Sequence, residues 1–160
     1  KLKSFKKKFK IGLSWKSLNN SYANQKSLSL SDFDFIINSI DVDFINLQYG
    51  DVNKEISSYN KSSESKVHVL KDLDLFNDFI GMASILKNID LFITVSNSTA
   101  HLAGSLGVKT LLIKPFNHAT FHYWNQPNNT TPWYESIELI EKNLLEDREL
   151  FEKKVISKLI

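Results

Sequence analysis

Hydrophobic residues in this chain fall into short runs divided by polar stretches. Residues 9–15 (FKIGLSW) form an apolar run that stops in a Ser- and Asn-rich stretch, 16–26, as a buried strand followed by a surface loop would. Ser31 and Asp34 make a cap-like S-x-x-D ahead of Phe35, Ile36, Ile37 and Ile40, whose spacing predicts a helix with one apolar face. Residues 44–47 predict a second strand, ended by the turn signal Gln48-Tyr49-Gly50-Asp51. Further helices are predicted over 52–59 and 75–88, with a short strand at 67–70 between them. Residues 91–95 (LFITV) are continuous and β-branched, the pattern of a central strand buried on both faces of a parallel sheet.

After that strand, residues 97–106 predict a helix of small residues ended by Gly107, then a strand at 109–113 and an edge strand at 136–140. Residues 141–160, with Leu144, Leu145, Phe151, Val155, Ile156 and Leu159, predict a closing amphipathic helix. Strands alternating with helices at this spacing indicate an α/β fold: a Rossmann-like, three-layer αβα domain with a mainly parallel sheet. The long irregular stretch 116–133 carries His118, His122, Trp124 and Trp133, and an aromatic loop of this length is expected to be ordered.

Length and composition narrow the function classes. A chain of 160 residues with 42% hydrophobic positions is expected to form one domain with its own core. With zero Cys, disulfide frameworks, thiolate metal sites and cysteine nucleophiles are excluded. The net charge of +2 is set by Lys1, Lys3, Lys6, Lys7, Lys8 and Lys10, without which it becomes −4. One Arg, Arg148, and no basic face interleaved with aromatics argue against nucleic-acid binding. No apolar stretch reaches the length of a membrane span, and an N-terminus without a signal core leads us to expect cytoplasmic placement. Opening on Lys, the chain is expected to be a fragment of a longer protein.

In open parallel sheets, ligands bind beyond the carboxyl ends of the strands where strand order reverses. That rule selects the loop after the central strand: Ser96, Asn97, Ser98, Thr99 and His101 open a helix whose free N–H groups and dipole favour an anion, with a diphosphate the ligand expected there. His101 lies about one turn past Asn97, so its ring returns to the same pocket mouth. The same residues also suit a purely structural cap on a packing helix, with Ala100, Ala103 and Gly104 small because the helix crosses the sheet closely. Lys16, Lys26 and Lys114 lie in loops at the same edge as possible phosphate cations, and Gln48 and Tyr49 as contacts to a base or ribose. His118 and His122 lack a third ligand for a metal, and there is no G-x-G-x-x-G, P-loop or G-x-S-x-G. The sequons at Asn97 and Asn129 read as chance matches.

Residues 90–107 (DLFITVSNSTAHLAGSLG) resemble the signature of the C-terminal, donor-binding half of GT-B glycosyltransferases, and more specifically the heptosyltransferase-like domain at the end of bacterial tetratricopeptide-repeat proteins. Residues 11–15 (IGLSW), 26–30 (KSLSL), 46–50 (NLQYG), Trp124 and 132–137 (PWYESI) are similar to further elements of that family in the same order. The resemblance implies that Ser96, Asn97, Ser98, Thr99, His101 and Lys26 surround the diphosphate of a nucleoside-diphosphate sugar. Ser14, Trp15, Gln48, Lys114 and Trp124 would border the nucleotide or sugar. Ser96 stands where many relatives have Asp. The implied reaction is sugar transfer to an acceptor hydroxyl, with no cofactor or metal expected. The acceptor and the catalytic residues would come from a missing N-terminal domain or the tetratricopeptide region. Two alternatives stay open: a scaffolding module that kept the fold and lost turnover, and a nucleotide-sugar epimerase-like domain.

Overall fold

A computed structural model of the chain describes residues 9–18, 23–115, 121–124, 130–143 and 148–159. Its frame is a six-stranded parallel sheet in the order β3-β2-β1-β4-β5-β6. The strands are β1 (Lys10–Ser14), β2 (Asp43–Asn46), β3 (Val67–His68), β4 (Leu91–Val95), β5 (Thr110–Pro115) and β6 (Ile137–Lys142). The helices are α1 (Ala23–Lys26), α2 (Asp34–Ile37), α3 (Asn53–Ser62), α4 (Phe79–Leu86), α5 (Ser98–Ser105) and α6 (Arg148–Ile156). The Rossmann-like α/β class expected from the sequence is the observed one. Among the described residues no helix is long and apolar enough to cross a membrane.

Alternation along the strands divides the core into two faces. Ile11, Leu13, Ile93, Leu111 and Ile113 point to one side and pack with Ile36, Ile37, Ile56, Phe151 and Val155 from α2, α3 and α6. Ile45, Leu47 and Phe92 point to the other and pack with Met82, Leu86 and Ala103 from α4 and α5. Every residue of β4 is buried, as its continuous apolar run requires. Gly12 in β1 faces that second side, where a Cβ would lie 2.6 Å from Leu47 Cδ1 and 2.8 Å from Ile89 Cδ1, so the sheet centre has no room for a side chain there.

Four expectations shift. The helix cap lies two residues earlier than Ser31 and Asp34: Asp32 Oδ2 accepts from the Ser29 N–H at 2.8 Å and the Ser29 hydroxyl at 2.7 Å, and a 3-10 turn (Leu30–Phe33) leads into α2. Residues 75–77 precede α4 instead of belonging to it, because Asp74 Oδ1 takes the N–H groups of Phe76 and Asn77 and Asp78 caps the helix through the Gly81 N–H. Glu141 and Lys142 extend β6, in register with Lys114 and Pro115 of β5, so the last helix starts at Arg148. Gly104 is not small for the sheet: a Cβ there would meet Tyr134 Cγ at 2.4 Å. The lysines of residues 1–8, together with His118, Asn129, Leu144 and Leu145, lie outside the described residues.

Candidate functional site

The chain builds β1, β2 and β3 outward on one side and then returns to place β4 against the other side of β1. Strand order therefore reverses between β1 and β4, and the crevice beyond their carboxyl ends is the expected ligand position. Two buried amides hold it in shape. Gln48, just past β2, accepts through Oε1 from the Ser14 hydroxyl at 3.0 Å, the Trp15 N–H at 2.8 Å and the Lys16 N–H at 2.6 Å, while its Nε2 donates to the Tyr49 carbonyl at 2.7 Å. Asn97 caps α5 through Oδ1, which accepts from the Ala100 N–H at 3.0 Å. Its Nδ2 donates to Ser14 Oγ at 2.9 Å and to the Lys16 carbonyl at 3.2 Å. Ser14 thus joins the ends of β1, β2 and β4.

With Ala100 N–H taken by the cap, the first amides of α5, at Ser98 and Thr99, remain outside the intrahelical ladder. A C-terminal Schellman motif ends the helix, with Gly107 at φ +67, its N–H on the Gly104 carbonyl and the Val108 N–H on the Ala103 carbonyl. At the N-terminal end lies a cavity of about 270 Å³ lined by Ser17, Lys26, Tyr49, Ser96, Asn97, Ser98, His101, Phe121 and Tyr123. Lys26 is 5% exposed, and among the described residues it has no carboxylate partner; its Nζ sits 4.7 Å from the Phe121 ring centre. Burial lowers its pKa. His101 is lowered by burial first and then by the charge of Lys26. Its ring packs 5.0 Å from those of Tyr123 and Trp124, and Nδ1 lies 3.1 Å from Tyr134 Oη.

Two further cavities adjoin this one. A slot of about 220 Å³ shares Tyr49 and Ser98 with it and adds Thr99, Phe76 and Phe79. A cavity of about 340 Å³ shares Lys26 and adds Asn24, Ser27, Ser29, Asp32, Lys114 and Lys142. In it Lys142 pairs with Asp32 at 3.0 Å and Lys114 with Glu141 at 2.5 Å. Burial pushes the Asp32 carboxyl up, but hydrogen bonds from Ser29 and Lys142 outweigh it, and the net direction is down.

Of the residues singled out from sequence, Ser96, Asn97, Ser98, His101 and Lys26 meet on one cavity. Thr99 lines the adjoining slot and Lys114 the larger cavity. Ser14 and Gln48 lie beneath, in the clamp. Trp15 and Trp124 line none of these three cavities, because both are fully buried in the core. Trp15 Nε1 donates to Glu55 Oε1, the same carboxylate that pairs with Lys16 at 2.5 Å. Trp124 Nε1 donates to Ser96 Oγ at 3.0 Å, so position 96 has a structural partner. His122 is exposed, and among the described residues no group of three His, Asp or Glu could hold a metal. Sequence reasoning placed the loops 14–26 and 114–124 at the ligand edge without singling out Ser17, Phe121 or Tyr123, and it gave no site role to Tyr134, for which the PWY segment and the small Gly104 were the available signals.

No family model matches this chain. Over 129 residues it is 29% identical to protein FlbA of Caulobacter vibrioides, covering 80% of this chain and 21% of that protein. The crystal structure of a glycosyl transferase family 9 protein from Veillonella parvula superposes on 95% of this chain with a TM-score of 0.58 at 14% identity. The chain shares its fold with part of a glycosyltransferase. It spans 39% of that glycosyltransferase chain, and about a fifth of FlbA.

Proposed function

We propose that this chain is the donor-binding half of a glycosyltransferase and holds a nucleoside-diphosphate sugar across the three cavities. The observation that carries the reading is Lys26: a 5% exposed ammonium without a carboxylate partner among the described residues, facing a cavity at the N-terminus of a capped helix. Such a site is short of negative charge, and a diphosphate supplies it. The diphosphate lies against Ser98, Thr99, His101 and Lys26. The base enters the slot of Tyr49, Phe76 and Phe79, where Tyr49 and Phe76 have ring centres 6.0 Å apart and the two phenylalanines are exposed. The glycosyl group faces the larger cavity, whose carboxylate, amides, hydroxyls and lysines match a polyol.

In the reaction, an acceptor hydroxyl attacks the anomeric carbon, the bond from that carbon to the diphosphate oxygen breaks, and the hydroxyl proton passes to a base on the acceptor side. This chain stabilises the charge left on the nucleoside diphosphate through the helix end, Lys26 and His101. Coverage of 39% of the family 9 structure supports placing the acceptor on a separate lobe, and the resemblance to tetratricopeptide-linked domains offers a second source for it. Ligand-observed NMR with ADP, UDP and GDP and their sugar conjugates tests the reading. One base is expected to be selected, with binding at least about tenfold weaker in His101→Ala and Lys26→Met. No binding by any of the panel at millimolar concentration would overturn it.

A further inference from the structure

We propose that Tyr134 is the positioning residue for His101: its hydroxyl donates to Nδ1 and so fixes the ring tautomer that presents Nε2–H to the ligand cavity. The inference rests on the donor reading for what the Nε2–H meets, but the geometry stands in the free protein. Tyr134 Oη is 3.1 Å from His101 Nδ1, and no other hydrogen-bond partner of the ring is found among the described residues. Nε2 is therefore the nitrogen left for the cavity that His101 lines. The phenol has one hydrogen to give. If instead Nδ1–H donated to Tyr134, the Nε2 lone pair would face the anion and repel it.

The fold holds the phenol in place from both ends. The Tyr134 ring lies flat on the backbone of α5 at Gly104, where Cγ, Cδ1 and Cδ2 all fall within 2.8 Å of where a Cβ would stand, so the close approach exists because position 104 has no side chain. The Tyr134 carbonyl accepts from the Ile137 N–H at 3.2 Å as the chain enters β6. His101 is held against Trp124, tilted 31° to it, with the edges of Tyr123 and Tyr134 around it. The imidazole can neither turn nor exchange nitrogens without breaking these contacts. Burial first, and then the charge of Lys26, disfavour the protonated form of the ring.

The test is Tyr134→Phe, which keeps the ring on Gly104 and removes only the hydroxyl. Carbon and nitrogen NMR shifts of His101 in the free protein report the tautomer directly. The Nε2–H form is expected in the wild type and a mixture of tautomers in Tyr134→Phe. Affinity for the nucleoside diphosphate bound best among ADP, UDP and GDP is expected to fall about 3- to 10-fold in Tyr134→Phe. In a His101→Ala background the same substitution is expected to change it less than about twofold, because the hydroxyl acts through the imidazole. A wild type in the Nδ1–H form, a tautomer unmoved by Tyr134→Phe, or an equal loss in both backgrounds would each overturn the proposal. If the wild type binds none of the three, the donor reading falls while the tautomer measurement still decides the role of Tyr134.

Discussion

Gln48 gives the most exacting check on how this crevice is held. It is 1% exposed and its single carboxamide oxygen receives the backbone N–H groups of Trp15 and Lys16 and the hydroxyl of Ser14. Replacing it with Met keeps the length and most of the volume but leaves nothing to accept those hydrogens. Two backbone N–H groups stranded at roughly 1–3 kcal/mol each give about 2–6 kcal/mol of destabilisation, and the methyl thioether recovers part of this through apolar burial. We expect a net loss of about 2–4 kcal/mol, which at this chain length corresponds to a fall in Tm of about 5–15 °C. Urea unfolding followed by far-ultraviolet circular dichroism measures it, with the m-value unchanged. A loss below about 0.5 kcal/mol would refute the reasoning, since it would mean that the β1 end is held without the Gln48 clamp.

Two more outcomes follow from the same crevice. Asn97→Asp keeps an oxygen to cap α5 and should fold, but it puts a carboxylate where Nδ2 now donates, on the wall of the proposed anion cavity; nucleoside-diphosphate affinity measured by titration calorimetry is expected to drop by about tenfold or more, and an undiminished affinity would place the anion elsewhere. Lys26 has its pKa lowered by burial, so the folded chain holds that proton less tightly than the unfolded one and bears the cost of a buried ammonium until pH rises through the folded pKa. Lys26→Met should therefore unfold at higher urea than wild type at pH 7, with the gap narrowing as pH rises toward the unfolded lysine value of about 10.4. A gap independent of pH would contradict the assignment.

The stability that Lys26 is expected to forgo is what the proposed diphosphate site would offset, since a chain selected for folding alone would fill position 26 with an apolar residue. Trp124 and Ser96 show the complementary case. Both looked like ligand contacts in the sequence; Trp124 instead donates to Ser96 inside the core and holds up the cavity wall through the His101 ring, while Ser96 lines the cavity as well.

Much of the fold was legible because it rests on local patterns. The run LFITV is buried at all five positions, the strand and helix order follows the alternation of apolar and polar stretches, and Asn97 and Gly107 carry the cap and stop that their residue types allow. The loop after β4 was identifiable as a candidate ligand position for the same reason, since a helix N-terminus after a central strand is a local feature. What the sequence could not choose was between equivalent frames and distant partners. Residues 29–34 contain two S-x-x-D frames, and the earlier one is used because Glu55 from α3 takes the Leu30 N–H and Lys142 from β6 takes Asp32. Gln48 became a clamp instead of a ligand contact because the parallel pairing of β1 with β2 sets it beside Ser14, 34 residues away. Tyr134 met His101 across 33 residues only because Gly104 let the chain approach. Periodicity determines which face of an element is buried. Which side chain it meets there depends on sheet order and close approach, and those exist only once the chain has folded.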